Sequence, residues 1–155
     1  HGVEGLDQLT DIERLKFSDR RIALDLGPEE HAGQAVAIAG VLAPSLIQVP
    51  SAIGAILALI DQGSGVPEVF QLALDVGLVS EIAGADTDTA LAQMAFRNVT
   101  GGDADAEITD WLVSFMDGRN SNLSQAQFLA TISGLEINRS HVDLVGLQQT
   151  GLEYL

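Results

Sequence analysis

Three carboxylate side chains at alternate positions are the clearest candidates for chemistry in this sequence. Asp103, Asp105 and Glu107 follow the glycine pair Gly101 and Gly102 in the stretch GGDADAEITD. Carboxylate oxygens are the ligands that calcium prefers, and an EF-hand loop places acidic residues at its positions 1, 3 and 5. These three residues are therefore the candidate metal ligands of the chain, with calcium as the candidate ion.

The same stretch departs from an EF-hand loop at the two positions that fix its geometry. Counted from Asp103, Ile108 occupies the sixth position, where glycine bends such a loop, and Ser114 the twelfth, where a bidentate glutamate closes it. A helix start explains the acids more simply, because Asp103 or Asp105 can cap a helix whose first turn holds the remaining carboxylates. Gly101 then ends the preceding helix. We expect a helix cap here, and a calcium site is the alternative hypothesis.

Other arrangements that could support catalysis are weaker. The stretch DGRNSN, residues 117–122, carries oxygen-bearing side chains without calcium-loop spacing, and a turn between two helices, with Asn122 as the cap of the second, is the preferred interpretation. None of the three histidines has a partner at metal-ligand spacing, and the sequence contains neither a G-x-S-x-G motif nor a phosphate-binding loop. The sequence therefore predicts that the protein is not an enzyme. A hydrolase assembled from distant residues is the least favoured hypothesis.

The charge of the chain limits its partners. Its 155 residues include 22 acidic and seven basic side chains, for a formal net charge of −15. This charge repels phosphate backbones and anionic lipid surfaces, so nucleic acid is not an expected partner. The chain has no cysteine, which excludes disulfides and thiolate zinc sites. A protein partner, or self-association through an apolar patch, is compatible with the composition.

Residues 1–26 have the pattern of strands. The stretches ERLKF and RIALDL alternate apolar and polar residues on either side of the turn residues SDR, which predicts a β-hairpin. Ile22, Leu24 and Leu26 are expected on the apolar face of its second strand. An isolated hairpin is marginally stable in water, so this one should pack on helices or extend a sheet that lies upstream.

Residues 27–155 have the apolar spacing of helices joined by short connections. The predicted fold is mainly α, with the N-terminal β-hairpin followed by a compact bundle of about six helices. Residues 35–47 are rich in Ala and Gly and too short to span a bilayer, so buried central helices are expected rather than membrane insertion. The predicted helix starts are Pro28, Ser51, Pro67, Asp86 or Thr87, Asp103 or Asp105, and Asn122 with Gln125. One predicted buried stripe comprises Ile108, Trp111, Leu112, Phe115 and Met116. A second predicted stripe comprises Leu91, Met94, Ala95 and Val99, and Phe128, Ile132 and Leu135 are expected to share a helix face.

Two parts of the chain resemble known bacterial segments. GLDQLTDIERLKFSDRRIALDL, residues 5–26, is similar to the hairpin that commonly follows hemolysin-type calcium-binding (RTX) repeats in bacterial secreted proteins. The remainder resembles a helical family of unknown function, numbered 4214. This chain departs from the family pattern at Phe96, where a tyrosine is usual, and at Gly102, where an arginine is usual. The residues that carry this second resemblance are FRNVTG at 96–101, Asp105, Trp111, Gly118, Ser133, Glu136 and the closing stretch DLVGLQQTGLEYL.

The resemblance implies two parts and an extracellular location. Residues 1–26 would form a β-hairpin that closes an upstream calcium-binding β-roll, and residues 27–155 a helical domain. The implied function is that of a non-catalytic accessory or interaction domain, for capping, assembly or attachment, in a secreted or cell-surface bacterial protein exported by type I secretion. The alternative is a calcium-binding module that couples ion binding to folding after secretion.

Overall fold

The structure, a computed structural model, describes residues 12–155 and contains one three-stranded antiparallel sheet within them. Strands β1 (Arg14–Lys16) and β2 (Arg21–Ala23) form the predicted hairpin. A third strand, β3 (Leu152–Tyr154), pairs with the other side of β2. Strand β3 is not predictable from the sequence, because three residues carry too short a pattern to distinguish a strand from a tail. Through β3, the hairpin is bonded to the helical part of the chain.

Helices make up most of the described residues, which confirms the mainly α fold. There are more than six because Gly77, with a left-handed φ of 79°, interrupts the helix predicted after Pro67, and because residues 135–150 contain two additional short helices. No helix among the described residues is long and apolar enough to cross a membrane. The helices are α1 (His31–Leu42), α2 (Pro50–Asp61), α3 (Val66–Asp75), α4 (Leu78–Ala83), α5 (Asp88–Thr100), α6 (Ala106–Val113), α7 (Gln125–Ser133), α8 (Glu136–His141) and α9 (Leu144–Thr150), with a 3-10 helix at Pro44–Gln48.

The predicted start of α1 at Pro28 is wrong by three residues, since the helix begins at His31. The Glu30 carboxylate accepts the backbone N–H of Gly27 at 2.7 Å, and the Glu30 N–H donates to the Gly27 carbonyl at 3.0 Å. These two bonds close a turn ahead of the helix. Proline therefore lies in that turn and not in the first helical turn.

Two further predicted caps are wrong. Helix α2 begins with a proline, which has no N–H to satisfy, so Ser51 lies inside the helix and does not cap it. Helix α7 is capped by Ser124 and Gln127, whose side chains each accept the other's backbone N–H, and not by the predicted pair Asn122 and Gln125. By contrast, the predicted cap of α5 is confirmed, because the Thr87 hydroxyl accepts the N–H of Ala90 at 3.2 Å.

Helix α1 lies at the centre of the core, as expected from its small residues. Nine of its 12 residues are buried, and it packs against α2, α5, α7 and α8. A Cβ at Gly40 would lie 2.7 Å from the Asn138 side-chain oxygen and would also meet Val142, so the glycine permits the close approach of α8. The amide of Asn138 is fully buried and donates to the carbonyl of Ala37 at 2.9 Å and that of Ser133 at 3.0 Å.

The face predicted for the second strand is confirmed only at Leu26, which is buried beyond the end of β2. Ala23 and Asp25 are buried, whereas Ile22 and Leu24 are half-buried. Asp25 is accommodated because its carboxylate pairs with Arg14 of β1 and accepts the N–H of the second residue of α1. The hairpin is therefore attached to the helices by the hydrogen bond from Ala32 to Asp25 as well as by β3.

Candidate functional site

A solvent-open apolar pocket lies between α5, α6, α7 and α8. Its volume of about 340 Å³ falls in the range of ligand-binding cavities, and it is more than twice the roughly 150 Å³ of an engineered apolar cavity that holds benzene. The residues that line it are Ala95, Phe96, Val99, Thr100, Trp111, Leu112, Phe115, Leu123, Phe128, Thr131, Ile132, Leu135 and Ile137.

The surface that the pocket offers is made of carbon atoms. Its two hydroxyl-bearing residues are Thr100 and Thr131, and both hydroxyls donate at 2.8 Å within their own helices, to the carbonyls of Phe96 and Gln127. These hydroxyls are therefore already hydrogen-bonded and do not need a ligand. The pocket can hold apolar groups by burial, but it has no polar group in place to orient them.

Trp111 lies at the rim of this pocket, and the prediction that it is buried is wrong. Its side chain is 56% exposed, and its ring makes an edge-to-face contact with Phe115, with ring centroids 5.0 Å apart. The predicted stripe assumed one helix as far as Gly118, whereas α6 ends at Val113 and a turn follows. Within the stripe Leu112 and Met116 are buried as expected, Ile108 and Phe115 are half-buried, and Trp111 lies exposed at the pocket mouth.

Two other large apolar side chains are exposed at the same pocket. Leu135 precedes α8 and Ile137 lies in its first turn, and they are 43% and 49% exposed. Together with Trp111 they form what we call the apolar rim, Trp111, Leu135 and Ile137. Tryptophan is among the residues most enriched at binding hot spots, and clustered exposed apolar side chains mark interaction surfaces.

The predicted metal ligands lie on the connection between α5 and α6. The Asp105 carboxylate accepts the N–H of Ile108 at 2.8 Å, which confirms that it caps α6. Asp103 forms an ion pair with Arg97 at 2.6 Å, and Glu107 lies exposed in the first turn of the helix. Within residues 12–155 no three His, Asp or Glu side chains are grouped so as to hold a metal. Calcium binding by these three acids stays the untested alternative hypothesis.

The second polar stretch, residues 117–122, is a turn held by Arg119. Its guanidinium donates to both oxygens of Asp110, at 2.8 and 2.9 Å, and to Asp117 at 2.7 Å. The hydrogen bond from Arg119 holds the pKa of the Asp110 carboxyl below its usual value, and the two carboxylates raise the pKa of Arg119. The backbone N–H of Leu123, after the turn, donates to the carbonyl of Phe115 at 2.9 Å, which places both residues at the pocket wall.

The motif FRNVTG, residues 96–101, serves both the pocket and the core. Phe96 lines the pocket, Arg97 pairs with Asp103, and the Asn98 amide donates to the carbonyls at the end of α1. Gly101 has a φ of 76° and ends α5, as predicted. Phe96, Arg97, Asn98 and Gly101 therefore each have a structural role in this chain.

Sequence reasoning did not assemble the pocket, although it found part of one wall. Phe128, Ile132 and Leu135 were expected to share a helix face, and all three line the pocket. Phe96 and Ile137 were missed because they are single apolar residues that become neighbours only after folding. The sequence does carry one signal for such a pocket: residues 95–137 contain more large apolar residues than a single buried stripe on each helix can account for.

Comparison of the chain with protein-family models, with curated proteins and with solved structures finds no match. The resemblance to RTX-associated segments therefore stays a prediction, and what the pocket does has to be argued from its geometry.

Proposed function

We propose that this chain is a non-catalytic accessory domain of a secreted or cell-surface bacterial protein of the RTX type, and that it binds a protein partner through the pocket between α5 and α8. The observation that carries the proposal is the open, carbon-lined pocket of about 340 Å³ with Trp111 exposed at its rim. Removing a concave apolar surface with exposed large side chains from water is favourable, so a partner that covers it is bound more tightly.

The chemistry of the lining supports binding rather than catalysis. Acid–base or nucleophilic catalysis requires a group that can exchange a proton or attack within reach of the bound molecule. The hydroxyls of Thr100 and Thr131 already donate to carbonyls of their own helices, and the other lining side chains are hydrocarbon or aromatic. What the pocket can contribute is shape and apolar area.

The hairpin supports the proposed connection to an upstream β-roll. In the first strand region, the backbone groups that point toward β2 are those of Glu13, Leu15 and Phe17. The backbone hydrogen bonds from Phe17 to Arg20 and from Leu24 to Glu13 show this direction. The backbone groups of Arg14 and Lys16 therefore point to the opposite edge. Within the described residues β1 pairs with β2 alone, so an upstream strand can add to the sheet at this edge.

The pocket can be tested with the fluorescence of Trp111, the single tryptophan of the chain. Titration with the uncharged apolar dye N-phenylnaphthylamine should give saturable energy transfer from the tryptophan. Leu135→Glu places a charge at the apolar rim and should weaken dye binding about tenfold or more. Leu72→Glu is the matched control, because Leu72 lies on α3 and is 44% exposed, against 43% for Leu135.

Equal dye affinities in the two variants, or energy transfer that does not saturate in the wild-type protein, would argue against a binding role for the pocket. Turnover of ester, peptide or glycan substrates by the purified chain would contradict the non-catalytic part of the proposal. Circular dichroism of both variants distinguishes a lost site from a lost fold.

A further inference from the structure

We infer that the partner presents a cationic amphipathic segment, in which one or two large apolar side chains enter the pocket and lysine or arginine residues lie over its margin. This inference rests on the proposed function and adds the chemistry of the partner to it. Three observations carry it: the charge of the segment that builds the pocket, the absence of a free polar group in the lining, and the size of the cavity.

The segment that builds the pocket is acidic, and its two cations are occupied. Residues 95–137 supply every lining residue and contain six acidic side chains against two arginines. Arg97 is paired with Asp103, and Arg119 with Asp110 and Asp117. No arginine in this segment is therefore left to receive an anionic ligand such as a fatty acid.

Two glutamates are placed to meet positive charge at the margin of the pocket. Glu107 precedes Trp111 by four residues on α6, so the two side chains lie on the same side of that helix. Glu136 lies between the rim residues Leu135 and Ile137. Both glutamates are exposed, and neither forms an ion pair with another residue of the described chain. Opposite charges on a partner would be attracted at long range and would fix its orientation.

The lining itself favours a polypeptide over a small metabolite. Small-molecule sites orient their ligand with a few placed polar groups, and this pocket offers none because Thr100 and Thr131 are already bonded within their helices. An apolar anchor on a polypeptide can instead be oriented by contacts outside the pocket. A volume of about 340 Å³ has room for more than one ring-sized side chain, which fits anchors spaced along one face of an amphipathic helix.

A second copy of this chain is the less favourable occupant. Each copy carries a net charge of −15, and the acidic segments would face each other if two pockets met. Like charges placed opposite one another across an interface disfavour association. A partner with basic residues beside its apolar anchors removes this repulsion and gains attraction in its place.

The experiment compares three probes on the same protein, with Trp111 fluorescence as the readout. The first is a synthetic amphipathic helix of leucine and lysine, the second is the same helix with glutamate in place of lysine, and the third is N-phenylnaphthylamine. We expect saturable binding of the lysine peptide and of the dye, and binding of the glutamate peptide that is weaker by about tenfold or more. The affinity of the lysine peptide should fall as salt is added, whereas that of the dye should not.

Two pairs of variants locate the binding. Replacing Glu107 and Glu136 together by glutamine should lower the affinity for the lysine peptide about threefold at low salt and leave the affinity for the dye unchanged. Glu68 and Glu81 on α3 and α4, replaced in the same way, should change neither. Leu135→Glu should lower the affinity for both the lysine peptide and the dye, whereas Leu72→Glu should change neither affinity.

The outcomes separate this inference from the proposed function. Dye binding without a preference for the lysine peptide overturns the cationic partner and leaves the pocket as a binding site. Loss of dye binding as well overturns both. A lysine peptide that binds equally to the Glu107/Glu136 and Glu68/Glu81 double variants is held by the overall charge of the domain, and the inference is then wrong.

Discussion

Asn98 on α5 lies across the end of α1, where its side-chain amide donates to the carbonyl oxygen of Leu42 at 2.7 Å. The same amide reaches the carbonyl of Val41 at 2.9 Å. The last carbonyls of a helix have no partner within it, and the two residues that carry these carbonyls, Val41 and Leu42, are buried. One asparagine therefore satisfies the end of the central helix and fixes α5, which carries one wall of the pocket.

Asn98→Ala should lower the free energy of unfolding by about 1–3 kcal/mol, because it leaves acceptors at the end of α1 without a donor in a buried position. Chemical denaturation followed by circular dichroism measures this change. Asn122→Ala is the control, since this exposed asparagine does not cap α7, and its effect should stay within about 0.5 kcal/mol. A loss of similar size in both variants would show that the amide of Asn98 has no special role.

The two neighbours Trp111 and Leu112 should respond very differently to truncation. Leu112→Ala removes a buried side chain and should cost about 2–5 kcal/mol, whereas Trp111→Ala loses mainly the edge contact with Phe115, at about 1 kcal/mol. Thermal and chemical unfolding of both variants measures the difference. If the tryptophan variant were the less stable of the two, Trp111 would have to be buried, as its place in the stripe first indicated.

Gly40→Ala should destabilise the protein, although alanine is the better helix former by about 1 kcal/mol. The added methyl group would meet Val142 and the side-chain oxygen of Asn138, so overpacking of about 1–3 kcal/mol outweighs the gain in propensity. Gly134→Ala is the matched control. Its Cβ would have ordinary contacts of 3.6 Å and 3.9 Å at a residue with a φ of −77°, so stability should be unchanged or rise by up to about 1 kcal/mol. The opposite order would show that α1 and α8 are further apart than described.

These cases show which features the sequence predicts and which it does not. The caps by Thr87 and Asp105 and the buried stripe Leu91, Met94, Ala95 and Val99 were predicted because they depend on neighbours within a few positions. The hydrogen bond of Asn98 with Leu42 and the pairing of β3 with β2 depend on groups far apart in the chain. A hydrophobic pattern says that a residue is apolar, but it does not say whether another element covers it, and for this reason Trp111 was expected inside.

The pocket illustrates the same limit. Helix periodicity placed Phe128 and Ile132 on one face, but only the crossing of α5, α6 and α8 decides whether that face is filled or left open.

The acidic stretch, residues 103–107, could by contrast be interpreted from the sequence alone. Its local spacing was sufficient to favour a helix cap over an EF-hand loop, because both alternatives are defined by residues within twelve positions.

The carboxyl group of Asp110 should titrate below its ordinary value of 3.8, because Arg119 donates to both of its oxygens. A carboxyl whose pKa is lower in the folded state stabilises that state above the unfolded pKa. This contribution is lost as the pH falls through the folded value. An NMR titration of the side-chain carboxyl should give a midpoint that returns to about 3.8 in Arg119→Gln and is unchanged in Arg97→Gln. Equal midpoints in the wild-type protein and Arg119→Gln would mean that the pair does not form in solution.

Calcium provides the last prediction, because it decides between the two interpretations of the acidic stretch. At matched ionic strength, thermal unfolding with millimolar calcium, with magnesium and with chelator should coincide. The carboxylate of Asp105 is engaged with the N–H of Ile108, and that of Asp103 with Arg97, so binding an ion there would first break these contacts. A specific site would instead stabilise the folded state by about 2.7 kcal/mol at a hundredfold excess of ion over its dissociation constant.

Asp105→Ala completes this test. As a lost helix cap it should cost about 1 kcal/mol, by the same amount with calcium and with chelator. A calcium-specific increase in the unfolding midpoint of the wild-type protein that disappears in Asp105→Ala would restore Asp103, Asp105 and Glu107 as ligands. The helix cap and the calcium ligand would use the same carboxylate oxygens, so the two roles compete. They are separated by whether the loss of stability in Asp105→Ala depends on calcium.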